Sequence, residues 1–576
     1  MNDACATISL GKRQKEVVPY TTTIKKRDKI ILSILLLILG IHVKAQQVDS
    51  ICGREVVYDE SGEILSWYMP GIPGAGYSHV VKLASEFLLD TPIEPQTGLP
   101  MYFVTCCFKG PHMTPDKNFV ARRWIHNPAC VFAGSVQSFA VQYYAYSGDA
   151  RFIGLVREML DYQLEHGTTP GNYRWPNVPY ASSNPFETEY YGATWWQGKR
   201  GDGYNNIEPD KVGELGYAYL RFFQVTGEHK YLDAAVSCAD ALAANIREIE
   251  AVDSDQENYE VRIGRSPWPF RVNALTGEVF DQYSSNVLEP VKLMRELIRI
   301  KDRINLPEQK SIQYNDAVEI AWNWLFGKNG PLRTFTWNGY FEDVDYDPSL
   351  ANRVQITPVE LAKYLAENPQ FDDKRDIHIP ALLYYAVSAF KTEGMDAMNE
   401  QLWCYRPMGS HSARYASACA LWYEKTGNEW FKDQAFRYLN TATYMTYDNG
   451  VVAVGPDYLA TWFSDGYSDY VRHFIDVLAA VPEWAPANEN HLLRSSSVVQ
   501  SIEYDDEKIG YSTYDSQSTQ KFRLINKPSK VMVGDRRIKE SSSLLQEGWT
   551  WEKLNKGGVL TIHSSDENSK TKTIIF

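Results

Sequence analysis

Residues 201–235 read GDGYNNIEPDKVGELGYAYLRFFQVTGEHKYLDAA, and their punctuation decides how the rest of the chain is read. A polar, glycine-broken loop carries Asp202, Tyr204, Asn205, Asn206 and Glu208 up to Pro209. Proline suits a first helical turn, because the N–H it lacks would have no partner there. Lys211–Val225 is apolar and aromatic on most faces, Thr226-Gly227-Glu228 breaks it, and His229–Ile246 resumes as an amphipathic helix. Glycine ends a helix by taking the left-handed conformation, and an acidic or amide residue after it caps the next one. The unit is one helical hairpin.

The hairpin recurs. Cys130–Tyr146 runs into Ser147-Gly148-Asp149 and the helix Ala150–Glu165, and Ser412–Lys425 runs into Thr426-Gly427-Asn428 and Glu429–Thr443. An aromatic follows each turn (Phe152, Tyr231 and Trp430), placed to pack back on the preceding helix. Asn286–Ile300 with Ile312–Phe326 forms a pair without the glycine, and Phe390–Gly394 reads as a worn copy of the turn. In each pair the first helix is apolar nearly all round and the second is amphipathic, as expected of inner and outer helices. Repetition of such pairs predicts a mainly-α (α/α)6 toroid of about six hairpins over residues 76–488. Before it, 46–75 reads as an extended lead-in, with His79–Leu89 the first helix. After it, 489–576 changes to short alternating runs such as KFRLIN, KVMVG and GVLTIHS. That is an antiparallel, sandwich-like β-domain, expected to pack against the toroid.

At 576 residues, with a formal net charge of -14, the chain is too long for one core and too acidic for nucleic acid. Its 16 Trp and 37 Tyr are an excess that buried aromatics mostly explain, and aromatic faces also stack on sugar rings. Lys25, Lys26, Arg27 and Lys29 precede an apolar run at 30–41 and the small-residue site Val43-Lys44-Ala45, so residues 1–45 read as a cleavable signal peptide. Export to the periplasm or beyond is the expectation, with no integral membrane segment after cleavage. Seven of eight Cys remain then, an odd number without metal-type spacing, which predicts mostly free buried thiols and no zinc site. No cofactor is expected. Asp343-Val344-Asp345-Tyr346-Asp347 opens like a calcium loop, but Pro348 and Val354 stand where that loop needs Gly and Glu, so a solvated acidic loop is favoured.

In a toroid whose inner helices run the same way, the loops before them meet at one mouth. Those loops offer Arg122, Arg123 and His126; Trp195, Trp196 and Tyr204; Tyr283; His411 and Arg414; and Tyr467. Arginine forks a carboxylate and aromatic rings take sugar faces, so these are candidate substrate-binding residues for an acidic saccharide. Glycosidic hydrolysis needs one protonated and one ionised carboxyl. Glu208, Asp210 and Asp202 are the candidates, clustered before one inner helix. A turn, a cap or a helix-dipole partner explains any one of them singly; the cluster points to function.

The tracts at 127–149, 201–232, Ser266–Val272 and GWTWEKLNKGGVLTIH resemble exported bacterial carbohydrate-active enzymes of the toroid type. The chain is most similar to β-glucuronidases of glycoside hydrolase family 154, and also to unsaturated glucuronyl hydrolases and glucuronyl C5-epimerases. The resemblance implies release of terminal glucuronic acid from an oligo- or polysaccharide. Two alternatives stay open. One is a lyase or epimerase on the same toroid, with Tyr204, Tyr283, His126, His411 or Asn127 handling the C5 proton. The other is a non-catalytic glycan-binding protein.

Overall fold

The computed structural model describes residues 48–91, 128–181, 205–249, 265–328, 330–338, 352–402, 405–453, 464–544, 546–567 and 569–576, with isolated positions and short strands between 93 and 115 and at 460–461. The described residues belong to one compact unit, Val48–Phe576.

Among them, twelve long helices alternate between an outer and an inner layer. They are α1 (Pro73–Asp90), α2 (consecutive stretches Pro128–Ser135, Val136–Tyr143 and Tyr144–Ser147), α3 (Arg151–His166), α4 (Pro209–Thr226), α5 (His229–Ala244), α6 (Leu288–Arg299), α7 (Glu308–Phe326), α8 (Ile356–Glu367), α9 (Arg375–Phe390), α10 (Gly409–Thr426), α11 (Glu429–Thr443) and α12 (Ser464–Ala480). The even-numbered helices form the inner ring. α2 packs on α4, α4 on α6, α8 on α10, α10 on α12, and α12 back on α2. The seam between α6 and α8 is closed by Arg295, which donates to the Tyr364 hydroxyl at 3.1 Å and lies over the Trp322 and Phe371 rings at 4.1 and 3.7 Å. Outside, α1 completes the ring beside α3, α11 and α12. The expected (α/α)6 toroid is the fold.

The three glycine turns form as read. Gly148, Gly227 and Gly427 have φ of 78°, 77° and 69°, and each N–H donates at 2.7 Å to the carbonyl four residues back. Asp149 and Asn428 accept from the N–H two residues on, at 3.0 and 3.1 Å. Glu228 does not cap; its longer side chain reaches Arg157 and Lys230 instead. In the third hairpin the aromatic that packs inward is Phe431, while Trp430 lies against Tyr384 of α9. The Phe390–Gly394 stretch follows an outer helix, so it is no copy of the inner-to-outer turn. The first helix begins at Pro73, not His79, because Pro73-Gly74 is a first helical turn rather than a loop. Gly213 brings α4 against α6: a Cβ there would stand 2.4 Å from the Pro290 nitrogen.

Nine strands form the C-terminal sandwich: β1 (His491–Ser495), β2 (Val499–Tyr504), β3 (Lys508–Thr513), β4 (Ser518–Leu524), β5 (Lys530–Val533), β6 (Arg536–Ile538), β7 (Gly548–Lys553), β8 (Gly558–Ser564) and β9 (Thr571–Ile575). One antiparallel sheet has the order β1-β4-β8-β7 and the other β2-β3-β9-β5-β6. Helix C-termini leave carbonyls without intrahelical partners, and the sandwich supplies donors to several. Tyr504 donates to the Ala145 carbonyl of α2 (2.6 Å), Gln500 to Gln224 of α4 (3.0 Å) and Lys521 to Ala479 of α12 (3.0 Å). Arg299 of α6 reaches Asp515 at 3.0 Å, and Glu424 of α10 pairs with Arg494 and Lys521. The C-terminal ends of these inner helices therefore share one floor, and their N-terminal ends share the opposite face. Cys52, Cys238 and Cys419 are buried thiols outside any disulfide. Among the described residues, no helix is long and apolar enough to cross a membrane.

Candidate functional site: the head of the inner ring

Five of the six inner helices carry a polar stripe, much of which lines a cavity enclosed by the ring. On α4 the stripe runs Asp210, Glu214, Tyr217, Arg221; on α6, Glu289, Lys292, Glu296, Arg299; on α8, Glu360, Lys363, Glu367. α10 contributes His411 and Arg414, and α12 contributes Asp469, Arg472, His473 and Asp476. Spacings of three, four and seven place such residues on one helix face. These five helices are thus apolar toward their neighbours but charged toward the axis, since six helices around a ring leave a centre that side chains cannot fill with hydrocarbon.

At the head of α4, Glu208 precedes Pro209 and Asp210 follows it. The strand Pro269–Asn273 pairs with Asn206–Ile207 and brings Arg271 to Glu208. Both residues are buried, and the Arg271 Nε donates to Glu208 Oε1 at 3.1 Å, with Nη2 on the same oxygen. Glu208 is therefore engaged in fastening the mouth strands to α4. Asp210 stands differently. It is 2% exposed, and burial pushes its carboxyl up to about 6, with nearby Glu214 adding to the effect and Lys211 opposing it. Glu289, at the head of α6, is likewise raised by burial despite Lys292 at 3.0 Å.

The opposite side of the ring holds its carboxyls ionised. Arg414 lies between Glu360 (3.1 Å) and Asp469, and Arg472 contacts the same two residues. Burial works to raise Glu360, but Arg472, Lys363 and Arg414 outweigh it and hold the group well below the carboxylate range. His473 is fully buried: its Nε2 donates to Asp469 at 3.0 Å while Nδ1 accepts from Lys363 at 3.2 Å, and the Ser417 hydroxyl, which donates to the Arg414 carbonyl, lies 3.1 Å from Nδ1. Burial, with three cations nearby, holds it neutral. Glu360, Asp469 and His473 lie close enough to ligate a metal ion, but a cation there would have to displace Arg414 and Arg472.

His411 enters from α10. Gln355, just before α8, donates from Nε2 to His411 Nδ1 at 2.6 Å and also approaches the Glu400 carbonyl at 3.4 Å. Burial and Arg414 keep the ring neutral, so its proton sits on Nε2. His411 is thereby a donor at Nε2 rather than a free base.

Of the residues expected from sequence, the structure brings Glu208 and Asp210 to the head of α4 and His411 and Arg414 to the head of α10, on opposite sides of one ring. Arg122, Arg123, His126, Trp195, Trp196, Asp202 and Tyr204 lie outside the described residues, as does the acidic loop at 343–347. Tyr283 and Tyr467 have a described backbone only. The axial residues Glu289, Glu360 and His473 went unread in the sequence, although their helical spacing was there to find. Also unread was the π-helical stretch Val136–Tyr143 of α2, a distortion often found at functional sites.

No family of known proteins matches this chain by sequence, and no curated protein does. In fold it is similar to a D-mannose isomerase (11% identity, covering 70% of this chain and 96% of the other, TM-score 0.48). It is also similar to a cellobiose 2-epimerase from Bacillus thermoamylovorans (10% identity, 69% and 97%, TM-score 0.47). An unsaturated glucuronyl hydrolase specific for heparin is a third (13% identity, 71% and 98%, TM-score 0.39). Likeness at that distance says nothing about the reaction.

Proposed function

We propose that the protein is an exported glycan-processing enzyme, a glycoside hydrolase that releases terminal glucuronic acid at the head of the inner ring. The observation that carries this reading is the placement of Asp210, a carboxyl 2% exposed at the head of α4 that burial pushes up to about 6. It belongs to an axis whose other side holds Glu360 ionised. Carboxyls pushed apart in this way are what acid-assisted cleavage of a glycosidic bond requires. Asp210 is the proton donor in this reading. Glu208, tied to Arg271, shapes the mouth, and the Nε2–H of His411 is a hydrogen-bond donor to the substrate. The likeness to family 154 β-glucuronidases and the signal-like segment before Gln46 belong to the same proposal.

A lyase or epimerase needs a free base at C5. His411 fits that role poorly, because Gln355 occupies its only lone pair. The test is product analysis of a glucuronic-acid-terminated oligosaccharide incubated with the full chain. Free saturated glucuronic acid supports the proposal. An unsaturated, ultraviolet-absorbing product would assign a lyase, and binding without any product would leave a glycan-binding protein. Either of the latter two outcomes ends the hydrolase reading.

A further inference from the structure

The layer formed by Glu360, Arg414, Asp469 and Arg472 has a hollow behind it. A cavity of about 620 Å³ extends from Glu360 and Arg472 to residues Leu492–Ser497 of the sandwich, and all six inner helices contribute to its wall. It lies at the opposite end of the inner helices from Asp210 and His411. Its size is that of a small-molecule site. Glu367, Lys425 and Ser496 are exposed on it, so it opens to the side, between the ends of α8 and α10 and the floor.

Seven Lys and Arg residues and four carboxylates line this chamber. Three of the carboxylates already hold wall cations: Glu296 with Arg299, Glu360 with Arg472, and Asp476 with Lys363. The fourth, Glu367, makes no ion pair among the described residues. Donor capacity is left over. Arg221 faces Glu296 at 3.9 Å and donates from Nη1 to Gln224 at 2.8 Å, but its Nε has no hydrogen-bond partner, and among the described residues Lys425 makes no ion pair. From the π-helical stretch of α2, the Gln137 amide nitrogen and the Gln142 amide oxygen are also unpartnered. Buried polar groups are normally satisfied, so several unsatisfied ones on one wall mark the place of a ligand or ordered water. The Tyr217 ring stands beside them, with Lys292 5.2 Å from its centre.

We propose that this rear chamber is a second binding site, for a carboxylated sugar of one or two rings, entered from the side and separate from the mouth. The carboxylate pairs with Lys425 at the opening, and across the chamber the Arg221 Nε donates to a ring oxygen of the same sugar. Gln137, Gln142 and Glu367 exchange hydrogen bonds with hydroxyls, which both give and accept, and Tyr217 takes a ring face. An inorganic anion would use the cations but neither the amides nor the volume. The inference does not depend on which reaction occurs at the head of the ring.

Calorimetric titration of the full chain with sodium D-glucuronate at low ionic strength tests it. A binding event is expected that Asp210→Asn leaves intact. Arg221→Gln and Lys425→Gln should each weaken it about tenfold, the loss of one charged hydrogen bond, with turnover within about twofold of the unsubstituted protein. Because Lys425 is exposed, its replacement cannot be mistaken for a folding defect. D-glucose should bind at least about tenfold more weakly, and sulfate should not displace glucuronate at equal concentration. The proposal is overturned if no event responds to either substitution, if Asp210→Asn removes binding and turnover together, or if glucose or sulfate binds as well as glucuronate.

Discussion

Burial lets Asp210 keep a proton to about pH 6 in the folded chain, whereas the ordinary value for the side chain is 3.8. Between those pH values the folded state binds the extra proton, so stability falls as pH rises through that window. Above it a constant penalty of about 3 kcal/mol remains. Asparagine keeps the shape without the charge. Asp210→Asn is therefore predicted to raise unfolding stability at pH 7 by up to about 3 kcal/mol, with the gain vanishing below about pH 4, while turnover is lost; urea melts at both pH values check it. An unchanged or lower stability at pH 7 would mean that the carboxyl is ionised and well satisfied. Glu208 predicts the reverse pattern. Removing its charge strands Arg271 in the interior, so Glu208→Gln should cost about 3–5 kcal/mol of stability without moving the pH profile of whatever turnover remains.

At the scale of elements, the glycine turns were legible because their chemistry is local: a left-handed residue, a short polar cap and a nearby aromatic. Gly227→Ala forces a Cβ into φ 77° and should lower stability by about 1–2 kcal/mol in thermal unfolding, whereas an alanine at an ordinary exposed helix position should not. The axial stripes were not legible. Glu289, Lys292, Glu296 and Arg299 follow the spacing of any solvated helix face, and nothing local distinguishes water outside a ring from water at its centre. Nor does sequence announce the π-helical stretch of α2. The sandwich was legible as alternation, but not its buried Lys572. That residue donates to Thr513 and Ser518 at 2.6 and 3.3 Å, and burial brings it down to about 8 from 10.5. Between about pH 8 and 10.5 the unfolded chain holds more protons, so this lysine makes stability rise with pH across that interval. Lys572→Met should remove that rise, read as the difference in melting temperature between the two proteins at pH 8 and pH 10.

For the molecule as a whole, a parallel inner ring with a sandwich floor divides the axis into a mouth and a rear chamber. Repetition in the sequence carried the ring, since each hairpin repeats one local solution. The mouth was legible as a place: the residues before α4 and α10 do stand at one end of one ring. Its division of labour was not, because whether Glu208 or Asp210 is free depends on Arg271, about sixty residues along the chain and brought back by a strand pairing. The account stands on Asp210 working as an acid that is protonated near neutral pH. The direct measurement is the pH dependence of kcat/KM for release of glucuronic acid, which reports ionisations of the free enzyme. The account predicts an alkaline limb with its midpoint near the Asp210 value of about 6, and no comparable turnover in Asp210→Asn. A rate that holds level from pH 5 to pH 8, or that survives Asp210→Asn, would contradict it.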